Sequence, residues 1–437
     1  MQKVTSTALV WLRNDLRFQD QQSFFNAIEK NDKVIAYYSF DPKLYESNEW
    51  GFKKTGAFRA KFLMETVHAL QKELEKNNIT LIISQKDPAK DIPEWIKEYT
   101  ITNIYFQKEW TAEERETENN LRANLGPEVT CHDYCDQFLY HPEDLSFDLD
   151  RLNNVFTAFR KKCEKFTQVR PLLPQPKKLP ESNLLEQQFK LPSFEALGID
   201  SLIMHPFSSF PFQGGTSEGL KRLTDYLWTT KKLSVYKKTR NGLIGTDYSS
   251  KFSPWLANGS LSPRMLYWEI KKYEEKIVKN DSTYWMVFEL TWRDYFKYVS
   301  LKHGNKIFFQ GGILDKYYTW KEDKKILNRW INGTTLEPFV NANMLELKKT
   351  GFMSNRGRQN VASFFAKNLL MDWRIGAAYF EEQLIDYDVH SNYGNWMYVS
   401  GVGNDPRDRI FNIKLQAERY DQKGVYQSRW NQKTLFE

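Results

Sequence analysis

Residues Asp386–Trp396 read DYDVHSNYGNW, and Gly351–Trp373 just upstream read GFMSNRGRQNVASFFAKNLLMDW. Asp386 and Asp388 are two residues apart, and Asn392 follows Asp388 at i+4. A Gly-containing turn is expected next, leading to Trp396. Upstream, Asn355, Arg358 and Gln359 precede an apolar helix, expected over Asn360–Gln383, that carries Trp373. Acids, amides, one fixed cation and several indoles can bind a polar heteroaromatic ring and move electrons to it. The same residues also suit a buried Asp–Arg pair inside a Trp-rich core, and on their own they leave both readings open.

A chain of 437 residues is expected to form two or three domains around a large core. Hydrophobic residues at 41% and charged residues at 27% fit a globular protein. No apolar run approaches the ~20 residues of a membrane span, and the N-terminus reads as a strand rather than a signal peptide. Only three cysteines occur, Cys131, Cys135 and Cys163, which suits a reducing cytoplasm and argues against a disulfide framework or a four-Cys cluster. The six histidines are scattered, so no metal site is expected. Charge is uneven: residues 211–437 hold 35 Lys and Arg against 24 Asp and Glu, a net of +11, which leaves residues 1–210 at −4. Ten of the fourteen Trp lie in the same basic part. Basic charge attracts phosphate and aromatic faces stack unpaired bases, so nucleic acid stands beside a plain solvated surface as a reading of this half.

Strands expected at Ala8–Leu12, Val34–Phe40, Leu81–Ser84, Ile101–Gln107 and Val129–Tyr134 alternate with helices at about 19–30, Gly56–Asn77, Pro88–Tyr99 and Thr111–Leu125. This alternation predicts an α/β domain with a doubly wound parallel sheet over residues 1–135. Its first strand–helix loop lacks G-x-G-x-x-G, so no dinucleotide fingerprint is present there. Residues 136–215, punctuated by Pro171, Pro174, Pro176, Pro180, Pro192, Pro206 and Pro211, read as an ordered linker with a short helix near Phe156–Lys165. From 216 to 437 the periodicity is helical, which predicts an all-α C-terminal domain. Its clearest helices are Ser217–Trp228, Ser262–Lys279, Thr283–His303, Asp323–Asn332 and Pro338–Lys349.

Two further stretches carry chemistry. Tyr248–Ser253 (YSSKFS) offers hydroxyls and Lys251 just before a helix start, where backbone N–H groups can hold a pyrophosphate; a plain N-cap uses the same residues. In Glu289–Phe296 (ELTWRDYF), Glu289, Trp292, Arg293 and Phe296 share one helix face.

Together these segments resemble the flavin-cradling core of the photolyase/cryptochrome family, and Asp405–Asn412 (DPRDRIFN) resembles its DASH branch. The resemblance implies that the helical domain binds FAD. Tyr236, Ser249, Ser250, Lys251, Phe252, Ser253 and Asn355 would hold the cofactor. Arg358 and Asp386 would form an ion pair beside its ring, Asp388 would accept from N3–H, and Asn392 would face N5. Glu289 and Trp292 would meet a DNA lesion at the cavity mouth, Glu289 in protonated form and so with a raised pKa. Trp396, Trp373 and Trp320 would relay electrons from the flavin to the surface. Gln359 and Tyr398 stand where ordinary cyclobutane-dimer photolyases carry Met and a second Trp, and Asn355 and Gln359 where (6-4) photolyases carry His. Glu109 matches the residue that binds a 5,10-methenyltetrahydrofolate antenna, at a sheet edge where such folds take ligands. The implied activity is light-driven repair of cyclobutane pyrimidine dimers in single-stranded DNA by a cytoplasmic monomer. The rival is a blue-light signalling flavoprotein without repair activity, against which stand Asn392 and the absence of a disordered tail after the last matched segment.

Overall fold

Short runs of Val, Ile, Leu and aromatic residues fix the first part of the chain. The computed structural model describes residues 6–200, 202–405 and 407–431; Met1–Thr5 and Pro406 of the DPRDRIFN stretch lie outside them. Strands β1 (Thr7–Trp11), β2 (Lys33–Ser39), β3 (Leu81–Ser84), β4 (Asn103–Gln107) and β5 (Thr130–Tyr134) form one parallel sheet in the order β3-β2-β1-β4-β5. The crossovers carry α1 (Gln22–Lys30), α2 (Ala57–Lys76), α3 (Pro88–Tyr99) and α4 (Ala112–Ala123). Alternation along β1 sends Ala8 and Val10 toward Phe24, Val67 and Leu70, and Leu9 and Trp11 toward Ile92 and Leu121. Both faces are thus covered, and the sheet is doubly wound. The Pro-rich stretch holds one α-helix, α5 (Phe156–Phe166), among extended chain and short 3₁₀ turns.

The remainder is helical. After α6 (Thr216–Thr224) come α7 (Tyr236–Thr239), α8 (Ser253–Ala257), α9 (Pro263–Lys276), α10 (Asp281–His303), α11 (Lys324–Ile331) and α12 (Pro338–Thr350). There follow α13 (Asn355–Ser363), α14 (Trp373–Gln383), α15 (Val389–Ser400), α16 (Ile413–Tyr420) and α17 (Val425–Asn431). Two expectations are corrected. Asn360–Gln383 is not one helix: α13 starts at Asn355, runs into a π-helical turn at Phe364–Asn368, and α14 begins afresh at Trp373. The break is made by Leu370 in a left-handed conformation, φ 53. It is secured by Leu370 O and Asp372 N bonding to the backbone of Lys321 at 2.7 and 3.0 Å, and Asp372 caps the new helix. Nor does a turn separate Asn392 from Trp396, because α15 continues through Gly394. A Cβ at Gly394 would sit 2.2 Å from the Phe296 ring, so this glycine serves close helix packing.

A buried charge cluster fastens the sheet to the helical part. Arg264 reaches Asp20 at 2.9 Å and Asp136 at 3.1 Å, and Arg17 donates to Gly259 O at 2.9 Å. At Gly259, φ is +74 and a Cβ would lie 2.1 Å from the Asn14 carbonyl oxygen, so the two halves meet there through backbone. No helix among the described residues is long and apolar enough to cross a membrane. Removing Arg264 takes from the buried Asp20 and Asp136 the guanidinium that bonds to both, at a cost on the order of 3–5 kcal/mol. Arg264→Leu is therefore expected to lower the unfolding free energy obtained from urea titration by that amount, with partial recovery in Arg264→Leu/Asp136→Asn; an unchanged midpoint and slope in the single variant would contradict the fastening role.

Candidate functional site

Tyr248–Ser253, the start of α13 and the Asp386–Asp388 stretch surround a cavity that is open to solvent. Its lining includes Tyr236, Ser249, Ser250, Lys251, Phe252, Ser253, Glu289, Asn355, Arg358, Asp386 and Asp388. The residues expected to cradle a cofactor here are therefore brought together from five separate segments. Glu109 lies elsewhere, and Asn392, Trp292, Gln359, Tyr398 and the three relay indoles do not border the open space.

The two acids hold different partners. Arg358 Nη2 donates to both carboxylate oxygens of Asp386 at 2.9 and 3.0 Å, while its Nε holds Met353 O at 2.9 Å. Lys297 Nζ donates to Asp388 Oδ2 at 3.0 Å, and Asp388 Oδ1 accepts from Ser391 N at 2.8 Å as the N-cap of α15. Burial pushes the Asp388 carboxyl up, but Lys297, His390, Arg293 and the Ser391 N–H outweigh it and hold the group well below the usual range. Asn392 donates through Nδ2 to Ala377 O at 3.0 Å, which fixes the amide and directs Oδ1 away from that bond.

On the opposite wall, Lys251 adopts φ +65 and is buried, with Nζ 3.3 Å from the Tyr248 ring centroid and 4.5 Å from that of Phe352. Neither Lys251 Nζ nor the Tyr248 hydroxyl has a hydrogen-bond partner. Burial drives the Lys251 pKa well below the ordinary value. Buried, unsatisfied polar groups of this kind suit a polar or anionic ligand group, so the wall fits the phosphate and polyol portion of FAD. The helix that follows, α8, has five residues, so side chains rather than a long helix dipole supply the donors. Arg222 clamps the loop from behind, donating to the carbonyls of Ser250, Ser249 and Thr246 at 3.1, 3.3 and 3.3 Å.

At the mouth, Glu289 pairs with Arg240 at 2.5 Å rather than with Arg293, and accepts from Trp285 Nε1 at 3.0 Å. Burial raises its pKa against the pull of these partners. Arg293 instead holds the Gln137 and Leu256 carbonyls at 2.5 and 3.0 Å. Trp292 stacks on Phe156 with centroids 3.7 Å apart and meets Tyr398 edge-on at 6.1 Å, so one indole face is already covered. Gln359 accepts from Arg356 at 2.9 Å.

Of the three indoles expected to relay electrons, Trp396 is buried against Phe380 at 5.1 Å and Trp330 at 6.3 Å, and Gly376, one turn beyond Trp373, makes room for the Trp396 ring. Trp373 donates to Gln310 O at 3.0 Å, and the half-buried Trp320 donates to Ala366 O at 3.2 Å. Glu109 is buried in a second, larger cleft between the strand ends and the helical part, where it accepts from Gln107 Nε2 at 2.8 Å. Burial, followed by the charge of Glu109, pushes the neighbouring Glu114 carboxyl up to about 7. Asp388 borders both the cavity and this cleft. Arg222, Arg240 and Lys297 escaped the reading of the sequence: each meets its partner from far along the chain, and no local motif marks them.

Residues 8–181 match the family described as DNA photolyase, and residues 285–433 the one described as FAD binding domain of DNA photolyase. Cryptochrome DASH of Gloeobacter violaceus is 45% identical, covering 98% of this chain and 85% of its own, and that of Synechocystis is also 45% identical over 98% and 88%. A Synechocystis cryptochrome structure superposes with a TM-score of 0.94 at 46% identity, covering 98% of this chain and 89% of that one. A class III photolyase from Agrobacterium tumefaciens gives 0.83 at 26% identity over 98% and 87%. Matched over nearly its whole length in both sequence and fold, this chain belongs to the photolyase/cryptochrome family, in the cryptochrome DASH branch.

Proposed function

We propose that the chain is a light-driven lyase for cyclobutane pyrimidine dimers that acts on single-stranded DNA. One observation carries this reading. The cavity that fits FAD is lined by Glu289, and Trp292, next along the same helix face but outside that lining, is already stacked on Phe156 and meets the second aromatic ring, Tyr398, edge-on. Reduced FAD, when bound, would lend a photoexcited electron to the dimer and take it back once the two inter-base bonds have broken. The chain's own groups orient and exclude water. Asp388 accepts from N3–H, and Arg358 with Asp386 fixes the ring's flank. Asn392, one turn after Asp388 and just behind the cavity lining, has its Nδ2 engaged with Ala377 and would offer Oδ1 to a proton at N5 without adding charge. Glu289, lifted by burial, donates to a pyrimidine carbonyl when protonated. Trp396, Trp373 and Trp320 carry the electrons that restore the reduced cofactor. A folate antenna, 5,10-methenyltetrahydrofolate, would occupy the second cleft against Glu109. The three unpaired cysteines suit a cytoplasmic monomer.

Two measurements follow. In duplex DNA the lesion must leave the stack at a cost of a few kcal/mol, and one stacking contact returns about 1–3 kcal/mol. Repair is therefore expected to be efficient on dimers in single strands and at least tenfold slower on intact duplex, with Tyr398→Trp narrowing the gap; equal rates at one salt concentration and sub-saturating DNA would reject the preference. For the antenna, Glu109→Gln is expected to weaken folate binding at least tenfold while FAD content stays unchanged, as read from the absorption of gel-filtered protein. Unaltered folate occupancy would remove Glu109 from that site.

A further inference from the structure

Beside Trp320 stands a tyrosine with an arranged proton acceptor. The rings of Tyr318 and Trp320 lie 5.2 Å apart, inclined at 37°. Tyr318 donates its hydroxyl proton to Asp408 Oδ2 at 2.6 Å. Asp408 in turn receives Lys367 Nζ at 2.5 Å and faces Lys316 Nζ at 3.5 Å. Both ammonium groups also lie over the Tyr318 ring, at 4.4 and 5.2 Å. Burial lifts the Asp408 carboxyl, but Lys367, Tyr318 and Lys316 outweigh it and hold its pKa below the usual range, so at neutral pH it is an ionised acceptor. Trp320 lacks such an outlet: its indole N–H points at the Ala366 carbonyl, 3.2 Å away, which cannot take up a proton. Next door, Tyr317 is 72% exposed.

We propose that Tyr318 and Asp408 form a redox site in which Tyr318 is the terminal electron donor to oxidised Trp320 and Asp408 takes the phenolic proton. The proposal rests on reading Trp320 as the outer member of the Trp relay. An electron passes from the Tyr318 ring to the Trp320 radical cation and restores the neutral indole. The phenolic O–H bond breaks and its proton moves along the hydrogen bond to Asp408 Oδ2. A neutral tyrosyl radical and a neutral carboxyl remain. Because the proton has left the oxygen, return of the electron to Trp320 requires its recapture, and the separated charge lives longer. A thiol in solution then returns one electron and one proton to Tyr318, becoming a thiyl radical, and Asp408 releases its extra proton to solvent.

Flash-induced electron paramagnetic resonance and transient absorption of the FAD-loaded protein test this directly. The parent and Tyr317→Phe are expected to show a tyrosyl radical. Tyr318→Phe should show only a tryptophan radical, with recombination at least threefold faster. Asp408→Asn should slow tyrosyl formation and change its deuterium isotope effect. In the FAD-free protein, a flash-generated one-electron oxidant should give a tyrosyl radical that diminishes in Tyr318→Phe. A tyrosyl signal persisting undiminished in Tyr318→Phe, or a tryptophan-only signal in the parent, overturns the proposal. Persistence in Trp320→Phe of the flash-induced tyrosyl radical overturns the relay reading and the proposal with it, whereas loss there with persistence in Tyr318→Phe overturns the proposal alone.

Discussion

The ion pair between Lys297 and Asp388 holds the centre of the molecule together. It joins α10 to α15 across 3.0 Å, with the two side chains 4% and 11% exposed. Charges this far from water need partners of good geometry, and removing one partner of such a pair typically costs about 3–5 kcal/mol. Asp388 spends its other oxygen on the cap of α15, the helix that carries Asn392 and Trp396. Its folded-state pKa is depressed, so its contribution to stability is present above the ordinary carboxyl range and fades only as pH falls toward the lower folded value. Burial lowers the Lys297 pKa while Asp388 pulls it back up, and Asp388 itself stays ionised across the working range of a cell.

Its neighbour completes the cavity. Asp386 turns to Arg358 on α13 while Asp388 turns to Lys297 on α10, so two acids of one short segment tie two helices to a single wall. The facing wall is the loop clamped by Arg222, with Lys251 and Tyr248 left unsatisfied. Fixed carboxylates on one side and unsatisfied donors on the other suit a ligand with a polar ring at one end and phosphates at the other. The second cleft shares Ala257, Arg293 and Asp388 with this cavity, so the two spaces meet at a wall that carries both a cation and an acid.

Legibility in the sequence followed the range of the forces involved. The sheet could be read from its apolar runs, because burial on both faces writes itself into each strand. The cavity residues could be read from YSSKFS, NRGRQ and DYD, where several groups sit within a few positions. The break before Trp373 could not. Leu369, Leu370 and Met371 are as apolar as a helix interior, and what stops the helix is backbone pairing to Lys321, far upstream. Gly394 suggested a turn but serves contact with Phe296. Glu289 offered Arg293 as a same-face partner, yet took Arg240, because Arg293 was needed for two carbonyls of neighbouring segments. Long-range partners leave no periodic trace.

The central claim is that Lys297 keeps Asp388 ionised as a ligand for the cofactor ring. FAD affinity of the parent and of Lys297→Met, titrated from pH 5 to 8, tests it most directly. A hydrogen bond to a charged group is worth about 1.5–3 kcal/mol, so the variant is expected to bind FAD at least tenfold more weakly. Burial without the ammonium group raises the Asp388 pKa, so its affinity should also fall further as pH is lowered, while the parent stays flat. Equal affinity and an equally flat profile in the two proteins would contradict the account.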